Sequence, residues 1–555
     1  MQERSRAYQR NHDGWYEDLI FLTCALGILF FIFLGARPLF TPDEGRYAEI
    51  AREMAVRGDY ITPYLNGIKY FEKPALFYWL GAAMIHLFGA SVTALRSINA
   101  MLAVIGCLIT YATARKLYSR TTGLFAAIIL ATSTLYFVMS HMISLDLPVT
   151  IFISASLYGF LLAALQPSTP ASRKYLYLAA IAAAFAVLTK GLIGIVFPGM
   201  IAGFWIILTQ EWKQLKRLPV ISAFLIFLCI SAPWHILVNH YNPEFFHFYF
   251  IEQHFLRYAT TDVGHYQPDW FFIPTLIAGF FPWIVFLPQA CWASMPHSLK
   301  QFRQHKIEIF LILWAVLIFI FFSFSKSKLF PYILPVLPPL AILIARYLAT
   351  VKVNSKGVMT GYIVFFLLAG IISYFLCTLT ITLYHPVYAM MYLHFSAAIL
   401  IIGAATTLTL SLRQSRFAIY GMMLTAAIFL TTSLGSVRYV DTRTIRPLAD
   451  ILTPMLKPDS EVITYNQYYQ DLPFYLQRRI TILNWRNELE FGMQHQDTRE
   501  WMIRNEQFFK KWNGKNQIFM IISKDEFQKF RTRYPNEPII IISETPYNLL
   551  VSNRY

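Results

Sequence analysis

Apolar runs about as long as a bilayer is thick recur along this chain, and no other feature restricts its fold as strongly. Leu19–Leu34 carries no charge, and Ile307–Ser325 carries only Glu308. About twenty apolar residues in a helix cross roughly 30 Å of hydrocarbon, where a helix satisfies every backbone polar group internally. The runs predict thirteen spans, at approximately 18–36, 93–115, 121–140, 148–166, 175–189, 191–209, 218–238, 270–292, 307–325, 330–348, 358–383, 391–412 and 416–436. Only 14% of the residues are charged, against roughly 25% in soluble domains. The first run follows a polar, Arg-containing segment, as a signal peptide would. It lacks a small-residue cleavage site and many similar runs follow, so it is expected to be a retained span.

The cations set an expected orientation. With the N-terminus cytoplasmic, the inside segments hold Arg4, Arg6 and Arg10; Arg115, Lys116 and Arg120; Arg173 and Lys174; Lys213, Lys216 and Arg217; Lys300, Arg303 and Lys306; Arg346, Lys352 and Lys356; and Arg413 and Arg416. The connections at 140–147 and 384–390 carry no cation. This is the positive-inside pattern; an odd number of spans then puts the C-terminus outside. The same pattern accounts for the formal net charge of +16 without nucleic acid, for which no basic stripe or binding motif is present. The five cysteines all fall within apolar runs, with neither a disulfide framework nor a CxxC site.

The membrane part is expected to occupy 1–438, with two long outside loops at 37–92 and 239–269, followed by a soluble outside domain over 439–555. In the first loop, Thr41-Pro42-Asp43-Glu44 reads as a helix start with Thr41 as N-cap. Tyr47, Ile50, Ala51 and Met54 recur at helical spacing while Arg46, Glu49 and Glu53 fall elsewhere, which predicts a helix lying on the membrane surface. A second short helix is predicted over Ala75–Phe88. The other loop is rich in aromatics and histidine (Phe245 to Phe250). Past Arg438, strand-like runs at Glu461–Tyr465, Gln517–Ser523 and Pro538–Ser543 flank a helical-looking stretch, Glu488–Trp512, and predict a small α/β domain.

Fixed charges at a membrane face are costly, so each outside one is a functional candidate. Asp43 and Glu44 stand at the exit of the first span; the plainer reading is that they complement a helix dipole. Asp146 is almost alone in the link His141–Pro148, between Leu145 and Leu147; the plainer reading is a solvated turn. Glu72 and Lys73 would otherwise be a surface ion pair. His254 and Arg257 share a helical face at i, i+3, and Lys190, Lys326 and Lys328 mark two further outside turns. Converging cations without evident counter-charge suit a phosphate at the bilayer surface. Transfer of a sugar from a lipid phosphate leaves an anion. Lys73, Arg257, Lys190 and Arg46, with the Tyr332 hydroxyl, are the expected groups to stabilise it. A carboxylate, Asp43 or Asp146 with Glu44 beside the former, would orient or deprotonate the acceptor.

At these residues the chain resembles the bacterial aminoarabinose transferases, relatives of the protein O-mannosyltransferases. The resemblance rests on Pro42-Asp-Glu-Gly-Arg-Tyr-Ala-Glu-Ile50, Tyr70-Phe-Glu-Lys-Pro74, Asp146, His254-Phe-Leu-Arg257-Tyr258 and Lys328-Leu-Phe-Pro-Tyr-Ile-Leu-Pro335, in this order over essentially the whole chain. It implies a GT-C type membrane glycosyltransferase fold with its active site at the periplasmic face of the bacterial inner membrane. The donor it implies is undecaprenyl phosphate carrying 4-amino-4-deoxy-L-arabinose, and the acceptor a lipid A phosphate. Asp43 and Asp146 match the family's key acidic positions; Lys73, Arg257 and Tyr332 match positions near the carrier phosphate. Glu72 and His254 match positions where a divalent metal can sit, although no cofactor is expected to be required. The chain departs from the family at Gly45, where threonine is usual.

Two other classes fit less well. A same-fold enzyme could move another sugar, or act on protein or on the lipopolysaccharide core. A transporter would place ionisable residues mid-membrane and show repeats, which this sequence does not.

Overall fold

The computed structural model describes residues 14–166, 169–256, 266–296, 304–378, 386–439 and 444–554. The chain divides into two compact units: 1–36, 96–236 and 247–440 form the first, and 37–95, 237–246 and 441–555 the second.

The first unit is a bundle of apolar helices. Among the described residues, nine helices are long and apolar enough to cross a membrane, or eleven if each of two bent pairs is one span. The two other expected spans are represented by the 17-residue helices Trp15–Phe31 and Ile193–Thr209. The bent pairs are Arg120–Ala131 with Thr134–Ser140, at 66°, and Asp269–Gly279 with Trp283–Ser294, at 103°. A broken helix frees backbone groups that hydrocarbon cannot satisfy. Here the two breaks answer each other: the Thr134 N–H and hydroxyl both donate to Phe281 O (3.1 and 3.0 Å), and Trp283 Nε1 donates to the Thr132 hydroxyl (2.9 Å). Buried indoles do the same elsewhere, Trp314 to Pro335 O and Trp205 to Lys306 O, each at 2.8 Å. Of the aromatic 239–269 loop, His247–Leu256 winds as a π-helix.

The second unit joins distant stretches. Strands β1 (Tyr64–Leu65) and β2 (Ile68–Lys69) form a hairpin around Asn66 (φ 52°) and Gly67 (φ 78°), the left-handed pair that an Asn-Gly turn supplies. Next come β3 (Glu461–Tyr465), β4 (Thr481–Leu483), β5 (Met502–Ile503), β6 (Ile518–Ser523), β7 (Ile540–Glu544) and β8 (Asn548–Ser552), in spatial order β5-β4-β3-β6-β8-β7. The first four of these neighbours run parallel, whereas β8 is antiparallel to both β6 and β7. Phe508, Trp512 and Phe530 cover one face with Ile463, Met520 and Val551 beneath. The hairpin tip docks on this domain: Asn66 exchanges side-chain bonds with the backbone of Ile480 (2.9 and 3.0 Å), and Trp501 Nε1 donates to Asn66 O (3.0 Å).

Three local expectations change. The first-loop helix runs Asp43–Arg57, with Pro42 rather than Thr41 in the N-cap position and no side-chain cap. It is not a surface helix, because its polar side is buried too. Glu49 is fully buried in a two-pronged pair with Arg52 (2.6 and 2.7 Å), and Glu53 accepts from Arg57 (2.9 Å) and the Gly67 N–H (2.7 Å). Mutual pairing makes that burial tolerable. The expected second short helix is present as Leu76–Phe88. The helical-looking Glu488–Trp512 breaks into short turns, the edge strand β5 and the helix Asn505–Trp512. The polar run Gln494–Arg499 has no apolar stripe to hold a helix, and Met502 and Ile503 instead pair with Ile482 and Leu483.

Candidate functional site

In the first unit, three residues singled out from the sequence meet. Asp146 begins the helix Asp146–Leu165 and Lys190 ends the helix Pro170–Lys190. A carboxylate at one N-terminus and an ammonium at the adjoining C-terminus both suit the helix dipoles. They form a close ion pair, with side chains only 17% and 14% exposed. The Ser144 hydroxyl donates to the other Asp146 oxygen at 3.1 Å. Lys190 Nζ also lies 4.6 Å from the centroid of the Tyr332 ring, carried by the 3₁₀ turn Phe330–Val336 that Pro331 and Pro335 shape. Asp146 is therefore neither a freely solvated turn nor isolated.

Beside this group, Lys328 is buried and donates to Gln267 O (2.8 Å), with Asp269 at 3.4 Å. A backbone bridge between Tyr266 and Ser327 reinforces the link. Lys328 thus clamps two loops together. Arg257 lies outside the described residues, as does the side chain of His254; so do the expected inside cations Arg4, Arg6, Arg10, Lys300 and Arg303.

In the second unit, Asp43 is 57% exposed and accepts from Arg46 at 3.0 Å. Its neighbour turns the other way. Glu44 is fully buried, takes a two-pronged pair from Arg37 (2.6 and 3.2 Å) and accepts the Phe40 N–H (2.8 Å). Its oxygens brace the chain entering the helix. Removing one partner of such a buried pair costs about 3–5 kcal/mol. Arg46 is likewise engaged, by Asp43 and by Glu488 at 2.5 Å, and so links its helix to the C-terminal domain. Burial works against its charge, but Tyr70, Glu488 and Glu72 around it hold the guanidinium firmly ionised. Burial pushes the Glu488 carboxyl up, with Arg46 pulling against it.

Glu72 and Lys73 follow Phe71, which packs edge-on against Phe245 (5.5 Å) and Phe491 (6.3 Å). Both are half-buried. Burial and the Glu72 charge raise the Tyr70 hydroxyl well above its usual range. Glu72 is one candidate metal ligand, but among the described residues no three His, Cys, Asp or Glu side chains gather as a metal site requires. A cleft of about 540 Å³ in the C-terminal domain, lined by Arg486, Glu490, Met493, Arg499 and Arg504 among others, contains none of the candidate residues.

Arg37, Ser144 and Glu488 were not legible as site neighbours. Arg37 could have been flagged as a cation at a span exit; Ser144 and Glu488 carry no sequence signal.

The dolichyl-phosphate-mannose-protein mannosyltransferase family model matches residues 28–249, and the aminoarabinose transferase C-terminal domain model matches residues 448–553. A helical membrane unit with an acid, a lysine and a tyrosine gathered at span ends, together with these matches, defines a membrane glycosyltransferase of the GT-C type. Over 98% of both chains the structure resembles that of ArnT from Cupriavidus metallidurans bound to undecaprenyl phosphate, with a TM-score of 0.87 and 26% identity. The undecaprenyl phosphate-alpha-4-amino-4-deoxy-L-arabinose arabinosyl transferase of Pectobacterium carotovorum is 29% identical over 91% of this chain and 92% of its own. The protein of the same name from Erwinia tasmaniensis is 31% identical over 65% of this chain and 66% of its own. The chain belongs to the aminoarabinose transferase family, relatives of the protein O-mannosyltransferases.

Proposed function

We propose that this protein transfers 4-amino-4-deoxy-L-arabinose from undecaprenyl phosphate to a phosphate of lipid A, at the periplasmic face of the inner membrane. The observation that carries the reading is the Asp146–Lys190 pair beneath the Tyr332 ring, in a chain similar along its whole length to a structure that holds undecaprenyl phosphate. The cation pattern of the loops supports the N-terminus inside and the residues past 438 outside.

In the reaction, the bond from the sugar anomeric carbon to the carrier phosphate oxygen breaks, and its electron pair stays on that oxygen. A new bond forms from the anomeric carbon to an oxygen of the acceptor phosphate. Lys190, with the Tyr332 hydroxyl, stabilises the departing anion as its charge develops, a role that the family resemblance also implies for Lys73 and Arg257. An acceptor phosphate is already ionised, so Asp43 orients it rather than removing a proton. Asp146 holds the Lys190 ammonium in place. Glu44 and Arg46 act as braces.

Purified protein in vesicles, given undecaprenyl phosphate-aminoarabinose and lipid A, should yield lipid A heavier by one aminoarabinose, as read by mass spectrometry. Lipid A of unchanged mass, with sugar appearing on protein or on the lipopolysaccharide core, would reassign the acceptor.

A further inference from the structure

We propose that Asn99 is a positioning residue for the transfer reaction, fixing the turn that aims the Asp146 carboxylate at Lys190. The proposal rests on the reading of Asp146 as a site residue. Asn99 belongs to the helix Val92–Leu117 and is completely buried. Its side-chain amide donates to Met142 O at 2.6 Å and to Ser144 O at 2.9 Å, with Met139 O at 3.5 Å. The Met142 and Ser144 carbonyls belong to the irregular stretch between the helix Thr134–Ser140 and the helix that begins at Asp146, and the Met139 carbonyl to the last turn of the former. Outside a helix, buried carbonyls need donors, and one NH₂ group supplies two of them.

The next link is Ser144. Its hydroxyl accepts the Asp146 N–H and donates to Asp146 Oδ2, both at 3.1 Å, while Oδ1 faces Lys190. Asn99 therefore holds the Ser144 backbone, Ser144 fixes the rotamer of Asp146, and Asp146 places the ammonium against the Tyr332 ring. Without the amide, the buried Ser144 carbonyl and the part-buried Met142 carbonyl lose this donor and the turn relaxes toward another arrangement. A misplacement of about 1 Å in such a group can reduce turnover by about 100-fold. The Asn99 Oδ1 atom is buried without a hydrogen-bond partner, so the donor half of the amide is the half in use.

The test uses the full-length protein in vesicles with the donor that wild type turns over. Asn99→Ala should reduce kcat by about 10- to 100-fold while the donor KM stays within about twofold. Asn99→Asp keeps the shape: its protonated form donates once and its ionised form not at all. Its activity should therefore fall as pH rises, along a limb absent from wild type. In an Asp146→Asn background, Asn99→Ala should add no further loss, because the two act through one group. Ser144→Ala removes only a hydroxyl and should reproduce part of the loss even if Asn99→Ala folds poorly. Wild-type kcat in Ser144→Ala and Asn99→Ala, or losses that multiply in the Asp146→Asn background, would overturn the proposal. A wild-type protein inactive with undecaprenyl phosphate-aminoarabinose but active with another donor would remove the substrate reading alone.

Discussion

The Lys190 ammonium stands 4.6 Å from the centre of the Tyr332 ring while its charge is paired with Asp146. Two contacts of different kinds thus hold one flexible side chain. A cation over an aromatic face contributes about 0.5–1 kcal/mol when exposed and about 2 when desolvated, and the partly buried ion pair adds direction. A lysine so restrained is organised before an anion arrives, which is what stabilising a developing charge requires.

Lys190→Met should lower kcat/KM by about 100-fold or more, whereas Lys190→Arg should keep part of it, because the charge remains but the point-like ammonium does not. Initial rates of aminoarabinose transfer to lipid A would check both. Equal rates in wild type and Lys190→Met would remove Lys190 from the site.

Asp43 separates function from helix stability. Its pairing with Arg46 is solvent-exposed on the Asp43 side, at 57%, and such pairs contribute about 0–1 kcal/mol. Asp43→Asn should therefore melt within a degree or two of wild type in detergent yet lose turnover. A lower melting temperature with full activity would mean that Asp43 only complements its helix.

Gly45 has a packing reason. A Cβ there would lie 2.5 Å from the backbone nitrogen of Asp471 and 2.8 Å from the Gln470 carbonyl carbon. The threonine that the resemblance leads one to expect here has no room unless that backbone moves. Gly45→Ala should cost about 1–3 kcal/mol by overpacking and Gly45→Thr more, both read as lower melting temperatures. An unchanged melting temperature in both would show that residues 470–471 yield easily.

Stability should depend on pH through Asp471. Its carboxyl is fully buried, with the Thr444 hydroxyl donating at 3.0 Å and the Ile445 N–H at 3.3 Å, and burial pushes it up to about 6 from 3.8. A folded-state value above the unfolded one means that the native protein binds the extra proton. That contribution is fully present below about pH 4 and is lost as pH rises through about 6, a change of roughly 3 kcal/mol. Asp471→Asn should flatten this part of the curve of melting temperature against pH. The same slope in the variant would assign it to another group.

Much of the architecture was legible because it is written at short range. Each bilayer-length apolar run sits within one stretch of chain, and helices occur at all the expected span positions, two of them bent. The strands at 461–465 and 518–523 showed themselves by β-branched and apolar runs of the right length. The misread helix at 488–512 failed where pairing overrode local appearance, since β5 is a strand only because β4 lies beside it. The Asn66-Gly67 turn was a plain hairpin signal that went unread.

The candidate site divides in the same way. Asp43, Lys73, Asp146 and Lys190 stood out as charges in an apolar chain, because the cost of charge near hydrocarbon needs no knowledge of neighbours. Which charges are used up by braces was not readable. Glu44 and Asp43 are adjacent and chemically alike, yet Arg37 takes one and leaves the other exposed. Asn99 and Ser144 are 45 positions apart and meet in a single hydrogen bond, while the Leu39 N–H finds its acceptor, the Tyr475 hydroxyl, 436 positions away. Solvent preference acts on every residue separately and so survives in a one-dimensional string. Hydrogen bonds and ion pairs depend on ångström-scale separations between groups far apart along the backbone, and those separations exist only after the helices and strands have packed.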